Sequence, residues 1–139
     1  MQAETEVIPS EHESFKWLLE ALCDELVEVH GDPANEDASW IRVVTDSRIV
    51  RAGDVFVALS GERTDGHRYL LQAAESGAFC LVVEHVETGL NVPQLVVENS
   101  RRAYGLIARA WRRRFGIALT AVGGSNGKTT TTQMMKAIL

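Results

Sequence analysis

Cysteine is nearly absent from the 139-residue chain: Cys23 and Cys80 are the only two, both in apolar surroundings and without a C-x-x-C spacing. That argues against a disulfide framework and against a thiolate zinc site. No run approaches 18 consecutive apolar residues, and the N-terminus carries no basic-then-apolar export signal. A cytoplasmic chain with no membrane insertion is expected. Aromatic residues make up only 6% and do not alternate with bases, which speaks against nucleic-acid binding. Bases are scarce in the first forty positions, where Lys16 stands against eleven acids. Residues 41–139 reverse the balance, with thirteen Lys and Arg against eight acids. Only this later part attracts anions by net charge, and small phosphorylated ligands suit it better than polymers. With 45% apolar and 24% charged residues, the composition supports a packed core.

Local patterns divide the chain into short elements. Ser10-Glu11-His12-Glu13 has the form of a capping box. Phe15, Leu18, Leu19, Leu22 and Cys23 follow at helical spacing, and Leu26 to Val29 reads as a short strand stopped by Gly31-Asp32-Pro33. Trp40 to Val44 and Val55 to Leu59 are strand-like, with a helical pattern from about Arg68 to Ser76 closed by Gly77. Phe79 to Val83 and Gln94 to Val97 are further apolar strands, and residues 100–114 place Ala103, Leu106, Ile107, Ala110 and Trp111 on one helix face. Strands alternating with helices predict an α/β layer structure. Trp17, Trp40 and Trp111 lack the spacing of a stacking platform and are assigned to cores and domain contacts.

The final segment reads as a buried strand, Ile117 to Val122, then Gly123-Gly124-Ser125-Asn126-Gly127-Lys128-Thr129-Thr130, then a helix to Leu139. Strand, glycine-rich turn, Gly-Lys-Thr and helix make a nest of amides for phosphates. Lys128 is the candidate catalytic residue, its ammonium suited to the terminal phosphates, and the Thr129 hydroxyl is the candidate Mg²⁺ ligand. The strict G-x-x-x-x-G-K-[ST] form would need glycine at 122, where this chain has Val122. Thr131 and Thr132 are as readily explained by hydroxyls that satisfy the backbone. The sheet of a mononucleotide-binding unit cannot be completed in so little sequence, so an N-terminal piece of a longer protein is expected.

Thr45-Asp46-Ser47-Arg48 and Gly61-Glu62-Arg63-Thr64-Asp65-Gly66-His67 each follow an apolar strand, where α/β folds gather ligand-contacting loops. Asp46 and Ser47 suit a turn as well as a contact, and Arg48 and Arg63 suit either a diphosphate or the solvent. His67 fits capping or core packing as well as anion binding. Glu84 and His85 have no further ligand at metal spacing. Arg109, Arg112, Arg113 and Arg114 read as a helix C-terminus favoured by the dipole.

Taken in order and spacing, three of these pieces resemble the Mur ligases of bacterial cell-wall synthesis. They are Asp46-Ser47-Arg48 with Gly53 to Leu59, the Gly61 to His67 loop with Ala73 to Ala78, and Gly124 to Thr130. The Gly-Glu-Arg-x-Asp-Gly-His form and the Ser-Asn phosphate loop are most similar to the branch that adds D-alanyl-D-alanine to a UDP-N-acetylmuramoyl tripeptide. Gly123 departs from the threonine usual in that family. The acidic opening at 1–39, a helix and a short strand that belong to or lead into the first domain, fits the family only loosely. The resemblance implies a domain binding the UDP-muramoyl peptide at 40–113 and the start of an ATP-binding domain at 114–139. Thr45, Ser47 and Arg48 would face the uridine diphosphate, while Asp65, Gly66 and His67 shape the adjacent wall. Gly124, Ser125, Asn126, Gly127, Lys128, Thr129 and Thr130 would hold ATP. The implied reaction activates a carboxylate as an acyl phosphate for attack by the dipeptide amine, in an enzyme whose remaining catalytic groups lie beyond Leu139; the sequence does not fix the oligomeric state, and a monomer is expected. The branch that adds diaminopimelate or lysine, an unrelated P-loop NTPase, and a non-catalytic nucleotide-sugar-binding module are the competing readings.

Overall fold

The computed structural model describes residues 13–31, 38–61, 64–116 and 120–138. Their elements, in chain order, are β1 (Glu13–Ser14), α1 (Phe15–Leu22), β2 (Leu26–His30), β3 (Ser39–Trp40), β4 (Val43–Val44), β5 (Val55–Val57), α2 (Leu70–Glu75), β6 (Cys80–Val83), β7 (Gln94–Val97), α3 (Ser100–Arg113) and α4 (Lys128–Ile138). The main sheet runs β2-β7-β6-β5-β4. β4 to β7 are mutually parallel, and β2 closes one edge antiparallel to β7. The expected α/β class is the observed one.

Alternation along the parallel strands explains the layering. Val55, Val57, Cys80, Val82, Leu95 and Val97 face one side, where α1 and α3 cover them with Phe15, Leu18, Leu22, Ala103 and Ile107. Phe56, Ala58, Leu81, Val83 and Val96 face the other, under Leu70 and Ala73 of α2. Both faces are sealed, as parallel sheets require. Beside the first face, Trp17, Trp40 and Trp111 meet with ring centroids 5.6 to 6.4 Å apart, a core cluster as expected. Cys80 is fully buried, which pushes its thiol well up from the ordinary range, whereas Cys23 is exposed and not in the apolar setting expected of it.

Long-range pairing moves several boundaries. Ser10 lies outside the described residues; the cap of α1 is Ser14, whose Oγ accepts the Trp17 N–H at 3.2 Å. Ser14 is extended because β1 pairs with β3. The single strand expected over residues 40–44 is two, because the segment changes partners at Ile41-Arg42. Arg42 grips the buried Asp54 carboxylate there with two bonds of 2.8 Å. Residues 66–69 form a 3₁₀ turn ahead of the shorter α2. Thr120 to Val122 are not in a strand: no described neighbour offers them a ladder, and residues 117–119 lie outside the described set.

Leu81 and Leu95 are fully buried on opposite faces. Leu81→Ala and Leu95→Ala should each lower unfolding free energy by about 2–5 kcal/mol in urea titrations. Val29→Ala, at an exposed position, should stay within about 0.5 kcal/mol.

Candidate functional site

Parallel strands deliver their following loops to one edge of a sheet, the usual ligand edge of α/β folds. The segments after β4 and β5, with the first turn of α3, enclose a cleft of about 560 Å³ there. Phe56 and Leu59 give it an apolar floor, and Thr45, Ser47, Thr64 and Tyr69 bring hydroxyls. Arg48 and Arg101 bring positive charge. The arrangement suits a ligand that combines a flat or apolar part with an anionic part.

Each expected residue of the first loop has a defined place. Asp46 caps a 3₁₀ turn over Ser47–Ile49 by accepting the Arg48 N–H at 3.0 Å. Its carboxylate also holds the Arg48 guanidinium through Nε and Nη2, at 2.9 and 2.6 Å. Those hydrogen bonds drop the Asp46 carboxyl to about 2. Arg48 is otherwise exposed, Thr45 is exposed, and Ser47 is buried with its hydroxyl donating to Gln72 Oε1 at 2.9 Å.

The second loop folds back onto the end of β5. Gly66 N–H donates to Leu59 O at 2.9 Å. A Cβ on Gly66 would lie 2.8 Å from Leu59 N and 2.9 Å from Ala58 Cα, so only glycine permits this backbone-to-backbone approach. Asp65 accepts the His67 N–H at 3.0 Å, and this bond, helped by the His67 ring, lowers its carboxyl. His67 is buried. Its Nε2 accepts the Glu84 N–H at 2.9 Å, which leaves Nδ1 to donate to Asp65 Oδ1 at 2.8 Å. Asp65, Gly66 and His67 are thus tied together, but of the three only Gly66 lines the cleft, and the imidazole presents no uncommitted nitrogen. Arg63 lies outside the described residues.

Glu84 makes no metal site with His85. Burial pushes its carboxyl up, but bonds from the Ser100 N–H and the Ser100 and Ser60 hydroxyls outweigh that and leave it below the ordinary range. His85 stacks on His67 at 4.5 Å, and among the described residues no group of three His, Cys, Asp or Glu side chains could hold a metal ion. No described helix is long and apolar enough to cross a membrane.

At the other end of the chain, residues 124–127 bend into α4. Gly124 and Gly127 adopt φ of +141° and +78°, a region that favours glycine. Lys128 Nζ donates to Gly124 O across the loop, and residues 123–130 are exposed. The first amides of α4 lack intrahelical partners, as at any helix start. These residues fit terminal phosphates, and a Thr129 hydroxyl is an oxygen donor of the kind Mg²⁺ takes. Thr132 Oγ1 instead donates to Lys128 O at 2.8 Å, the backbone role weighed for it.

Arg101, Tyr69 and Gln72 escaped the sequence reading, while Phe56 and Leu59 entered it only as part of a strand and Glu84 only as half of a weak metal pair. The signal available for Arg101 was its position: it follows the Asn99-Ser100 helix start directly after the buried strand β7.

A family profile described as "Mur ligase family, catalytic domain" matches residues 42–112, just over half of the chain and the whole cleft. The chain belongs to the Mur ligase family. A UDP-N-acetylmuramoyl-tripeptide--D-alanyl-D-alanine ligase of Synechocystis sp. is 42% identical over 107 residues, covering 76% of this chain and 24% of that relative. A UDP-N-acetylmuramoyl-L-alanyl-D-glutamate--2,6-diaminopimelate ligase of Syntrophomonas wolfei is 38% identical over 125 residues, covering 88% of this chain and 25% of the relative. Among solved structures, a MurF of Acinetobacter baumannii superposes with a TM-score of 0.81 at 32% identity, covering 94% of this chain and 28% of that one. A MurF ligase of Thermotoga maritima in complex with ADP gives 0.62 at 36% identity, covering 68% and 22%. This Mur ligase chain thus spans about a quarter of the length of the curated relatives it matches.

Gly66→Ala should push the 3₁₀ turn off β5, lowering stability by about 1–3 kcal/mol in urea unfolding and weakening any cleft ligand. Acid should act through Asp46, Asp65 and Glu84, whose folded values lie below their ordinary ones of 3.8, 3.8 and 4.5. Their stabilisation is complete above the ordinary values and is lost as pH falls through the folded ones. Urea midpoints from pH 7 to 2 should therefore decline below about pH 4.5, and less steeply in Glu84→Gln.

Proposed function

We propose that the chain is the substrate-holding N-terminal part of a cytoplasmic, ATP-dependent ligase of peptidoglycan precursor synthesis, one that joins D-alanyl-D-alanine to UDP-N-acetylmuramoyl tripeptide. The observation that carries the reading is the family match lying over the arginine- and hydroxyl-lined cleft. In this reading the UDP-muramoyl peptide occupies residues 40–113, with its diphosphate on Arg48 and near Thr45 and Ser47. A guanidinium already held by a carboxylate offers its remaining donors in a fixed fork, which suits a diphosphate. Gly66 supplies the wall, braced by its neighbours Asp65 and His67, and 114–139 open the ATP-binding unit.

Carboxylates react poorly with amines, so the ligation needs an activated acyl group. ATP, when bound, supplies the phosphoryl group that turns the peptide's terminal carboxylate into an acyl phosphate. Gly124 to Thr130 would seat its phosphates and Thr129 would ligate Mg²⁺. Lys128 neutralises charge that grows on the phosphoryl oxygens, the main contribution a protein makes to such transfers. The dipeptide amine then displaces phosphate to form the amide.

Two of the similar relatives, from Synechocystis sp. and Haemophilus influenzae, carry the D-alanyl-D-alanine name at 42% and 39% identity. The Syntrophomonas wolfei match, which covers more of the chain, favours a second reading in which the amine is diaminopimelate.

Calorimetry should detect binding of UDP and of UDP-muramoyl peptide to the 139-residue chain, with Arg48→Ala about tenfold weaker. Absence of UDP binding would remove the substrate assignment. The chain alone should release no ADP when given both substrates and ATP. In the longer protein that contains it, Lys128→Ala should reduce kcat about 10²–10³-fold, and D-alanyl-D-alanine against diaminopimelate as acceptor decides between the two readings.

A further inference from the structure

Glu84 does not line the cleft, yet it bonds to segments that do. Glu84 leaves the end of β6 and takes up both of its oxygens inside the protein. Oε1 accepts the Ser100 N–H and the Ser100 hydroxyl, each at 2.8 Å, and Oε2 accepts the Ser60 hydroxyl at 3.0 Å. Ser100 Oγ in turn accepts the Ser60 N–H at 3.4 Å. The backbone N–H of the same Glu84 donates to His67 Nε2, which continues through Nδ1 to Asp65. One residue therefore binds the end of β5, the 66–69 turn and the start of α3. Those segments carry Gly61, Thr64, Gly66, Tyr69 and Arg101 into the cleft.

Two physical consequences follow. A helix start following a buried parallel strand attracts anions through its open amides and dipole. In α3 that place is taken by the Glu84 carboxylate on Ser100 N–H and by Asn99 Oδ1 on Arg102 N–H at 2.9 Å. Of the first three amides of α3, those of Ser100 and Arg102 are thus occupied from within the protein. Second, Arg101 sits one residue beyond the Ser100 anchor, so its Cα is fixed by the same bonds.

We propose that Glu84 is the positioning residue of the cleft: its carboxylate clasps Ser60 and Ser100 and so holds Gly61, Thr64, Gly66, Tyr69 and Arg101 in a ligand-ready arrangement without touching the ligand. The ligand class, a nucleoside diphosphate, rests on the function proposed above; the clasp itself does not.

The test compares the 139-residue chain with Glu84→Ala, Glu84→Gln and Ser60→Ala by UDP calorimetry and by amide hydrogen exchange. Glu84→Ala should weaken UDP about tenfold and raise exchange at Ser100 and in residues 64–67, with α1 and β2 unchanged. Ser60→Ala, which leaves the α3 cap intact, should weaken UDP about threefold. Glu84→Gln should recover most of the affinity, since an amide oxygen still accepts from Ser100 and an amide nitrogen can donate to Ser60 Oγ. Unchanged UDP affinity in folded Glu84→Ala would overturn the proposal. Should the unsubstituted chain bind no UDP, the function reading fails while exchange still decides the clasp: faster exchange confined to Ser100 and 64–67 supports it, and unchanged exchange overturns it.

Discussion

A parallel sheet has to be buried on both faces, and everything else in this molecule follows from meeting that requirement with few residues. β5, β6 and β7 contain only eleven residues together, all buried. Helices on the two sides leave the strands' carboxyl edge as the place where polar chain can surface beside the core. The segments leaving Val44, Val57 and Val97 converge there, so the cleft is a product of strand direction before it is a product of any particular side chain. Burial also explains why its loops are so heavily self-bonded. Backbone polar groups next to a sealed core need partners, and Asp46, Asp65 and Glu84 supply acceptors for them.

Local pattern carried the elements whose cause is local. The β-branched runs at 55–57, 80–83 and 94–97 and the 3.6-residue stripe of α3 are recognisable from neighbours a few positions away, and each appears in the structure. The Asp46-Ser47-Arg48 segment was placed after a strand by the same logic. What stayed hidden depends on partners far along the chain. The break at Ile41-Arg42 belongs to Asp54, twelve residues on, and the change of partner between β3 and β4. The cap at Ser14 belongs to β3, and Gln94 is buried only because its side chain exchanges hydrogen bonds with the Glu87 backbone. Glu84 looked like half of a poor metal site because its serine partners lie 24 and 16 residues away.

The glycine-rich turn before α4 was legible for the opposite reason. A run of glycines before Gly-Lys-Thr encodes backbone conformation directly, and Gly124 and Gly127 take the positive φ that the pattern implies. Its preceding strand was not equally legible: an apolar run such as residues 117–122 specifies a strand only when a sheet stands beside it. Residues 120–122 have none among the described residues. Glycine geometry survives without neighbours, whereas a ladder does not.

The charge of the cleft is best understood as positioned rather than abundant. Arg48 is largely exposed, and an unrestrained arginine at a surface loses rotamer entropy on gripping a phosphate. Asp46 removes much of that loss in advance by occupying Nε and Nη2, at the expense of part of the positive field. The guanidinium keeps Nη1 and one Nη2 hydrogen for a second acceptor. Arg101 follows the anchored Ser100, and among the described residues no acid pairs with it, so its charge is not offset in the same way. The two arginines are therefore unequal. One contributes fixed direction at reduced charge, and the other fuller charge on a freer side chain.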